Sequence, residues 1–136
     1  LTSCYILSLC FANNLYKKRV KGSIVNISSI SSKGNPGQSS YSSSKGGLLS
    51  LSKTLSKELG PLGIRSNAIL PGFIETKAGA KAMPEKILRK RISQTPLKRL
   101  GMPEEVSKLV RNLIENEFLN GSEINLDGGL TLWVLY

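Results

Sequence analysis

Histidine is absent from this chain of 136 residues, and cysteine occurs only twice. The absence of histidine excludes zinc sites of the Cys2His2 type and catalytic triads that depend on a histidine base, and we expect no metal site. Cys4 and Cys10 lie six positions apart in the first apolar segment, where two helical side chains do not face each other well enough for a disulfide. We therefore expect reduced thiols in an intracellular compartment, either cytoplasmic or mitochondrial.

Acidic residues are also few, since 9 of them stand against 19 lysines and arginines and the formal net charge is +10. Such a balance occurs in proteins that bind nucleic acid, an anionic membrane or an acidic protein. The densest basic stretch, residues 77–99, contains no aromatic residue, so nucleic-acid binding is not expected. The apolar opening at residues 1–12 is too short and too often interrupted by polar residues to span a membrane.

The hydrophobic pattern alternates between helical and strand-like segments. A glycine and a proline at 60–61 end the clearest helix, and Pro103 followed by two glutamates begins the last one. We predict helices at 1–15, 39–59, 85–92 and 103–116, and strands at 23–28, 64–70 and 123–126. This alternation predicts a parallel α/β sheet, and the length and the 40% of hydrophobic residues fit one domain.

Tyr41 and Lys45 form the most informative pair in the chain. Residues four apart lie one above the other on the same face of a helix. A cation held beside a phenol favours the phenolate form, which suits a tyrosine to general acid or base catalysis. Alternatively, the spacing arises by chance and Lys45 is a solvated helix residue.

The segments around this pair carry a family resemblance. A β-rich run at 22–29 (GSIVNISS) is followed by a glycine- and proline-containing loop at 34–37, the Tyr/Lys helix, and the run GIRSNAILPG at 63–72. In this order they closely resemble the C-terminal half of the short-chain dehydrogenase/reductase family. The most similar branch is that of the 3-oxoacyl-(acyl-carrier-protein) reductases, with the 17β-hydroxysteroid dehydrogenases of type 8 and the carbonyl reductases. The resemblance extends to the run LDGG at 126–129.

The resemblance implies the C-terminal half of a Rossmann-like, doubly wound parallel sheet in three αβα layers. Residues 1–136 would then be a partial domain, because the family's dinucleotide fingerprint lies in its N-terminal half. No Gly-x-x-x-Gly-x-Gly segment occurs before Ser23. The resemblance also places an asparagine of the family's proton relay just before residue 1. We therefore expect residues 1–136 alone to be inactive.

The chemistry implied by the resemblance is hydride transfer between NAD or NADP and a carbonyl or alcohol carbon. Tyr41 would exchange the proton, Lys45 would bind the nicotinamide ribose, and a serine at the strand end would hold the substrate oxygen. The family's interval of thirteen residues before the tyrosine selects Ser28, whereas the strand-end motif at 26–29 selects Ser29, which we favour. Adjacent residues of an extended strand point in opposite directions, so only one of the two serines can reach the site.

The segment after the second strand resembles the part of the family that lies against the nicotinamide. The resemblance implies cofactor contacts from Pro71, Gly72, Ile74 and Thr76, with Gly72 present because the backbone must approach the cofactor closely. The alternative interpretation is a turn that merely ends a strand. Trp133 is expected in the core or in an interface rather than in the substrate site.

The function that the resemblance implies is reduction of a 3-oxoacyl thioester carried on acyl carrier protein or CoA. The basic stretch would lie beside the substrate entrance, and the protein would form a homo- or heterotetramer. One alternative is a hydroxysteroid or 3-hydroxyacyl dehydrogenase that works in the oxidative direction. Another is a non-catalytic subunit that serves in assembly. The choice between NAD and NADP depends on a residue after the second strand of the family's N-terminal half.

Overall fold

The computed structural model describes residues 1–76 and 84–131 of the chain. Trp133, Lys77 and Lys81 lie outside these ranges. The strands are β1 (Gly22–Ile27), β2 (Ile64–Pro71) and β3 (Glu123–Leu126). The helices are α1 (Thr2–Lys18), α2 (Ser39–Leu59), α3 (Glu85–Gln94) and α4 (Pro103–Glu115), with 3₁₀ turns at Ile30–Lys33 and Gly60–Leu62.

The three strands form one parallel sheet in the order β1-β2-β3. Gly22 of β1 is paired with Ile64 of β2, and Pro71 of β2 is paired with Leu126 of β3. Parallel neighbours need a crossover connection, which α2 provides between β1 and β2. The predicted parallel α/β sheet is thereby confirmed. Across residues 1–76 and 84–131, β1 has a strand partner on one edge only.

Helices cover both faces of the central strand. The Ser66 hydroxyl of β2 lies 3.0 Å from the Ser52 hydroxyl of α2. The neighbouring Arg65 donates from Nη1 to the carbonyl oxygen of Leu113 in α4 at 2.9 Å. Because adjacent residues of a strand point to opposite faces, α2 and α4 lie on opposite sides of the sheet. This arrangement gives the three layers that the resemblance implied.

The core is centred on β2. Ile64, Ile69 and Leu70 of this strand are almost completely buried, as are Leu55 of α2 and Leu113 of α4. A parallel strand covered on both faces is expected to be a nearly continuous apolar run, whereas Arg65, Ser66 and Asn67 of β2 are polar and hydrogen-bonded. Burying a leucine or isoleucine side chain stabilises the fold by about 1.5–3 kcal/mol, so β2 anchors the loops that follow the three strands.

Arg65 joins β2 to the end of α4. Besides its bond to Leu113, Nη1 donates to the carbonyl oxygen of Leu119 at 2.8 Å, and Nη2 donates to that of Ile114 at 2.8 Å. The last carbonyls of a helix lack intrahelical partners. One guanidinium therefore caps the C-terminal turn of α4 and fixes the loop beyond it.

Asn67 connects the same strand to the loop before β3. This residue is fully buried. Its Nδ2 donates to the carbonyl oxygen of Leu119 at 2.9 Å, and its Oδ1 accepts from the Ser122 amide at 3.0 Å. The buried amide is thus satisfied on both sides, as buried polar groups require.

The helix bounds agree closely with the sequence-based predictions. The second helix covers residues 39–59 as predicted, whereas α1 continues to Lys18 instead of residue 15. Arg19, with a φ of 55°, ends α1 in the left-handed conformation, and its N–H bonds the carbonyl oxygens of Leu15 and Tyr16. Cys4 and Cys10 are both free thiols. None of the helices in the described ranges is long and apolar enough to cross a bilayer.

Candidate active site

A cleft of about 650 Å³ lies at the carboxyl ends of the strands. Open parallel sheets bind their ligands at this edge, and the volume is in the range of small-molecule sites. Residues that follow β1, β2 and β3 line the cleft together with the start of α2 and the last turn of α3. Its walls are formed by Ser29, Ile30, Ser31, Gly34, Asn35, Gln38, Tyr41, Gly72, Phe73, Arg91, Gln94, Leu130 and Thr131.

Tyr41 and Lys45 stand one turn apart near the start of α2. Tyr41 is 44% exposed and lines the cleft, and the Lys45 Nζ lies 5.7 Å from the centroid of its ring. The same Nζ donates to the carbonyl oxygen of Ile27 at 2.8 Å, which fixes the ammonium beside the end of β1. An ammonium has three N–H donors, so two remain for other acceptors.

The two adjacent serines have different surroundings. Ser28 is 3% exposed, and its Oγ donates to the backbone carbonyl oxygen of Lys45 at 2.8 Å. Ser29 lines the cleft and caps the following 3₁₀ turn, where its Oγ accepts from the Ser31 amide at 3.1 Å. Ser28 therefore faces α2, and Ser29 is the serine that shares the cleft with Tyr41.

The loop after β2 is tied to the segment before α4. Ile74 and Gly101 form an isolated parallel bridge, in which the Gly101 amide donates to the carbonyl oxygen of Phe73 at 2.9 Å. Gly72 and Phe73 line the cleft. Pro71 is the last residue of β2, and Thr76 is exposed. The cofactor contacts expected of Pro71, Ile74 and Thr76 remain predictions.

Gly72 also packs closely against the end of β3, and the cofactor contact expected of it remains a prediction. A Cβ atom at this position would lie 2.8 Å from Cα of Asp127, so the backbone after β2 packs directly against the end of β3.

Burial alone would raise the pKa of Asp127, but hydrogen bonds from Thr131 and from the Gly129 amide outweigh burial and lower this pKa. The ionised carboxylate holds the turn at 127–131.

Arg91, which lines the cleft, and Arg99, which does not, have different partners. The Arg99 guanidinium forms an ion pair with Glu105 at 2.6 Å, and this bond, with that of the Met102 amide, lowers the Glu105 pKa to about 2. The guanidinium carbon of Arg91 instead lies 4.8 Å from the centroid of the Phe73 ring. The sequence places Arg91 only within a basic stretch and gives no signal for its contact with Phe73, because 18 positions separate the two residues.

Comparison with known proteins identifies the family. The model of a family described as enoyl-(acyl carrier protein) reductase matches residues 1–131. The chain belongs to the short-chain dehydrogenase/reductase family. The predicted family, including the branch that resembles 3-oxoacyl-(acyl-carrier-protein) reductases, is therefore confirmed.

Individual members of the family match nearly the whole chain. The 3-oxoacyl-(acyl-carrier-protein) reductase of Thermotoga maritima is 45% identical over 118 residues, which cover 85% of this chain and 48% of that protein. The (3R)-3-hydroxyacyl-CoA dehydrogenase of Mus musculus is 41% identical over 133 residues, covering 96% of this chain and 51% of that protein. The chain thus spans about half the length of the curated family members that it matches.

A solved structure extends the comparison to the fold. A 4-hydroxyisoleucine dehydrogenase complexed with NADH superimposes with a TM-score of 0.88 at 32% identity. The match covers 98% of this chain and 57% of that chain. The predicted Rossmann-like fold class is confirmed by this likeness together with the observed parallel sheet.

Proposed function

We propose that this chain is the C-terminal half of an NAD(P)-dependent oxidoreductase domain, which transfers a hydride between the cofactor and a carbonyl or alcohol carbon. The observation that carries the proposal is the convergence of Ser29 and Tyr41 on one cleft, with the Lys45 ammonium 5.7 Å from the centroid of the phenol ring. This combination of a proton donor, a second hydroxyl and a fixed cation is suited to polarising and protonating a carbonyl oxygen.

The residues present fit a nicotinamide nucleotide. Lys45 uses one of its three donors on Ile27 and keeps two that can bind ribose hydroxyls. Gly72 lines the cleft, and Pro71, Ile74 and Thr76 lie on either side of it in the segment that we assign to the carboxamide side of the cofactor. When bound, the reduced nicotinamide supplies the hydride. NAD and NADP are equally compatible with these residues.

The side chains of the protein bind the substrate oxygen and transfer a proton to it or from it. Ser29 holds the carbonyl oxygen with its hydroxyl hydrogen, since its Oγ already accepts from the Ser31 amide. In reduction, Oη of Tyr41 donates its proton to this carbonyl oxygen while the carbonyl carbon is reduced, and the product is an alcohol. Lys45 stabilises the phenolate left behind. In oxidation, Tyr41 as phenolate takes the alcohol proton, and each movement is reversed.

The substrate that we propose is a 3-oxoacyl thioester carried on acyl carrier protein or CoA. The similarity to the reductase of Thermotoga maritima supports reduction as the working direction. A second candidate is oxidation of a 3-hydroxyacyl-CoA by the same groups, which is supported by the mouse dehydrogenase that matches 96% of this chain. Both candidates use the same cleft and the same proton path.

The experiment is steady-state oxidation of NADH and NADPH by the full-length protein with acetoacetyl-CoA and with an acetoacetylated carrier protein. We expect Tyr41→Phe to lower kcat by about 10²–10⁴-fold, because a positioned proton donor contributes that much. Tyr16→Phe is the matched control, since Tyr16 is 62% exposed on α1 and does not line the cleft. Full activity of Tyr41→Phe would contradict the assignment.

The partial-domain proposal has its own test within the same assay. Residues 1–136 alone should show no turnover, because the chain carries no glycine-rich dinucleotide fingerprint before Ser23. Sedimentation of the full-length protein tests the proposed homo- or heterotetramer. If the full-length protein binds neither nucleotide and turns over no 3-oxoacyl substrate, the non-catalytic assembly role is correct instead.

A further inference from the structure

Arg91 brings a positive charge to the candidate active site from an element outside the Ser/Tyr/Lys group. It lies in the last turns of α3 and lines the cleft that contains Ser29 and Tyr41. Its guanidinium carbon lies 4.8 Å from the centroid of the Phe73 ring. A cation–π contact of this kind holds a guanidinium against the ring while leaving its N–H donors available.

The protein provides no anionic partner for this guanidinium in residues 1–76 and 84–131. Two carboxylates near α3 are engaged elsewhere, because Glu85 pairs with Arg89 and Glu105 pairs with Arg99. A third, Glu75, lies beside Leu88 and Ile92 of α3 and does not line the cleft. Throughout the described ranges, neither a hydrogen bond nor an ion pair uses the Arg91 side chain. No carboxylate is found among the residues that line the cleft. Among the described residues, an anion that enters the cleft therefore meets a guanidinium that has no anionic partner.

We propose that Arg91 binds the anionic group of the substrate and so determines substrate specificity. The inference rests on the proposed oxidoreductase function, because it assumes that the cleft holds the carbonyl compound. A planar guanidinium matches the two oxygens of a carboxylate or of a phosphate. The shared chemistry is an oxyanion, supplied by the carboxylate of a free 3-oxo acid or by the phosphate of a phosphopantetheine arm.

Matched substrate pairs separate the two sources. One pair is S-acetoacetyl-4′-phosphopantetheine and S-acetoacetylpantetheine, which differ only in the phosphate. The other is acetoacetate and its ethyl ester, which differ in the carboxylate. In the full-length protein, Arg91→Met should lower kcat/KM for the anionic member of one pair by about 10- to 100-fold, the range of a charge-assisted hydrogen bond, and leave its neutral member unchanged.

Two variants control for charge and for structure. Lys90 is an exposed cation on the same helix and does not line the cleft. Lys90→Met should therefore change kcat/KM for both members of each pair by less than about 3-fold. Arg91→Lys keeps the charge but loses the planar fork, so it should retain part of the preference for the anionic member. The KM for the nicotinamide nucleotide should stay the same in all three variants.

A binding measurement decides the inference even if no turnover is found. Calorimetric titrations compare 4′-phosphopantetheine with pantetheine, and acetoacetate with ethyl acetoacetate, in the wild-type protein and in Arg91→Met. A preference for one anionic compound that Arg91→Met abolishes supports the inference, and the responding pair identifies the source of the anion. Equal loss for charged and neutral members, a raised KM for the nucleotide, or no anion preference in the wild type would overturn it. Absence of turnover with an intact anion preference would refute only the proposed oxidoreductase function.

Discussion

Replacing Ser28 and Ser29 one at a time by alanine tests the assignment of the substrate-binding hydroxyl. The two side chains are neighbours in sequence, yet Ser28 Oγ donates to the Lys45 carbonyl oxygen, whereas Ser29 lines the cleft. Each alanine removes one oxygen atom and one local hydrogen bond. The pair of variants therefore compares the same chemical change on two sides of the strand end.

The expected losses of stability are similar in the two variants. Ser28→Ala loses a 2.8 Å bond to the Lys45 carbonyl oxygen, which costs about 1 kcal/mol of the free energy of unfolding. Ser29→Ala loses the cap on the Ser31 amide, which also costs about 1 kcal/mol. Urea denaturation followed by circular dichroism should show comparable shifts of the midpoint, so a difference in activity cannot be ascribed to folding.

The expected losses of activity differ strongly. Removing a donor that holds the reacting oxygen in the transition state costs about 10²–10³-fold in kcat, and we expect this loss for Ser29→Ala. Ser28→Ala should lower kcat by less than about 10-fold, since the Ser28 side chain acts only through the position of the Lys45 backbone. The assay is NAD(P)H oxidation by the full-length protein with acetoacetyl-CoA. The reasoning is refuted if Ser28→Ala loses the larger factor and Ser29→Ala turns over normally.

Two further predictions concern stability. Arg65→Met should lower the free energy of unfolding by about 2–4 kcal/mol, because three carbonyl oxygens lose a charged donor. Arg65→Lys should recover only part of this loss in urea denaturation, and a loss below about 0.5 kcal/mol for Arg65→Met would contradict the capping role. The second prediction concerns pH. Arg99 and the Met102 amide lower the Glu105 pKa from 4.5 to about 2, so the stabilisation from this carboxylate is complete above about pH 4.5 and is lost as the pH falls towards 2. The difference in urea midpoint between the wild-type protein and Glu105→Gln should shrink over that range, and a constant difference would argue against the pairing.

Most of the fold could be predicted because its local signals agree with one another. The leucines of α2 repeat at helical spacing and Gly60 ends the helix, so residues 39–59 were predicted with both bounds correct. The 4 residues of β3 stand between a glycine and the Asp127 turn, and they too were predicted correctly. By contrast, the end of α1 at Lys18 depends on the left-handed conformation of Arg19, which residue type alone does not predict.

The candidate site was predictable where it depends on spacing within one element. Tyr41 and Lys45 share a helix, so their proximity follows from helical geometry. The choice between Ser28 and Ser29 could not be made from alternation alone, because β1 ends at Ile27 and the two serines follow it. The approach of Arg91 to Phe73 joins two segments that no local pattern relates. Long-range contacts of this kind are fixed by packing, which is why the sequence indicated a basic stretch and not a particular arginine.

The central strand can complete its hydrogen bonds only late in protein synthesis. The partners of Arg65 and Asn67 lie between 48 and 55 positions further along the chain. When β2 leaves the ribosome, β1 and α2 are already available to pack against it. At that stage the half-buried guanidinium of Arg65 and the buried amide of Asn67 lack the carbonyl oxygens that accept from them in the native structure. A nascent chain that ends before Leu119 therefore lacks the native hydrogen bonds from Arg65 and Asn67 to the Leu119 carbonyl oxygen. The native packing of β2 is therefore completed only when the loop before β3 and β3 itself have been synthesised.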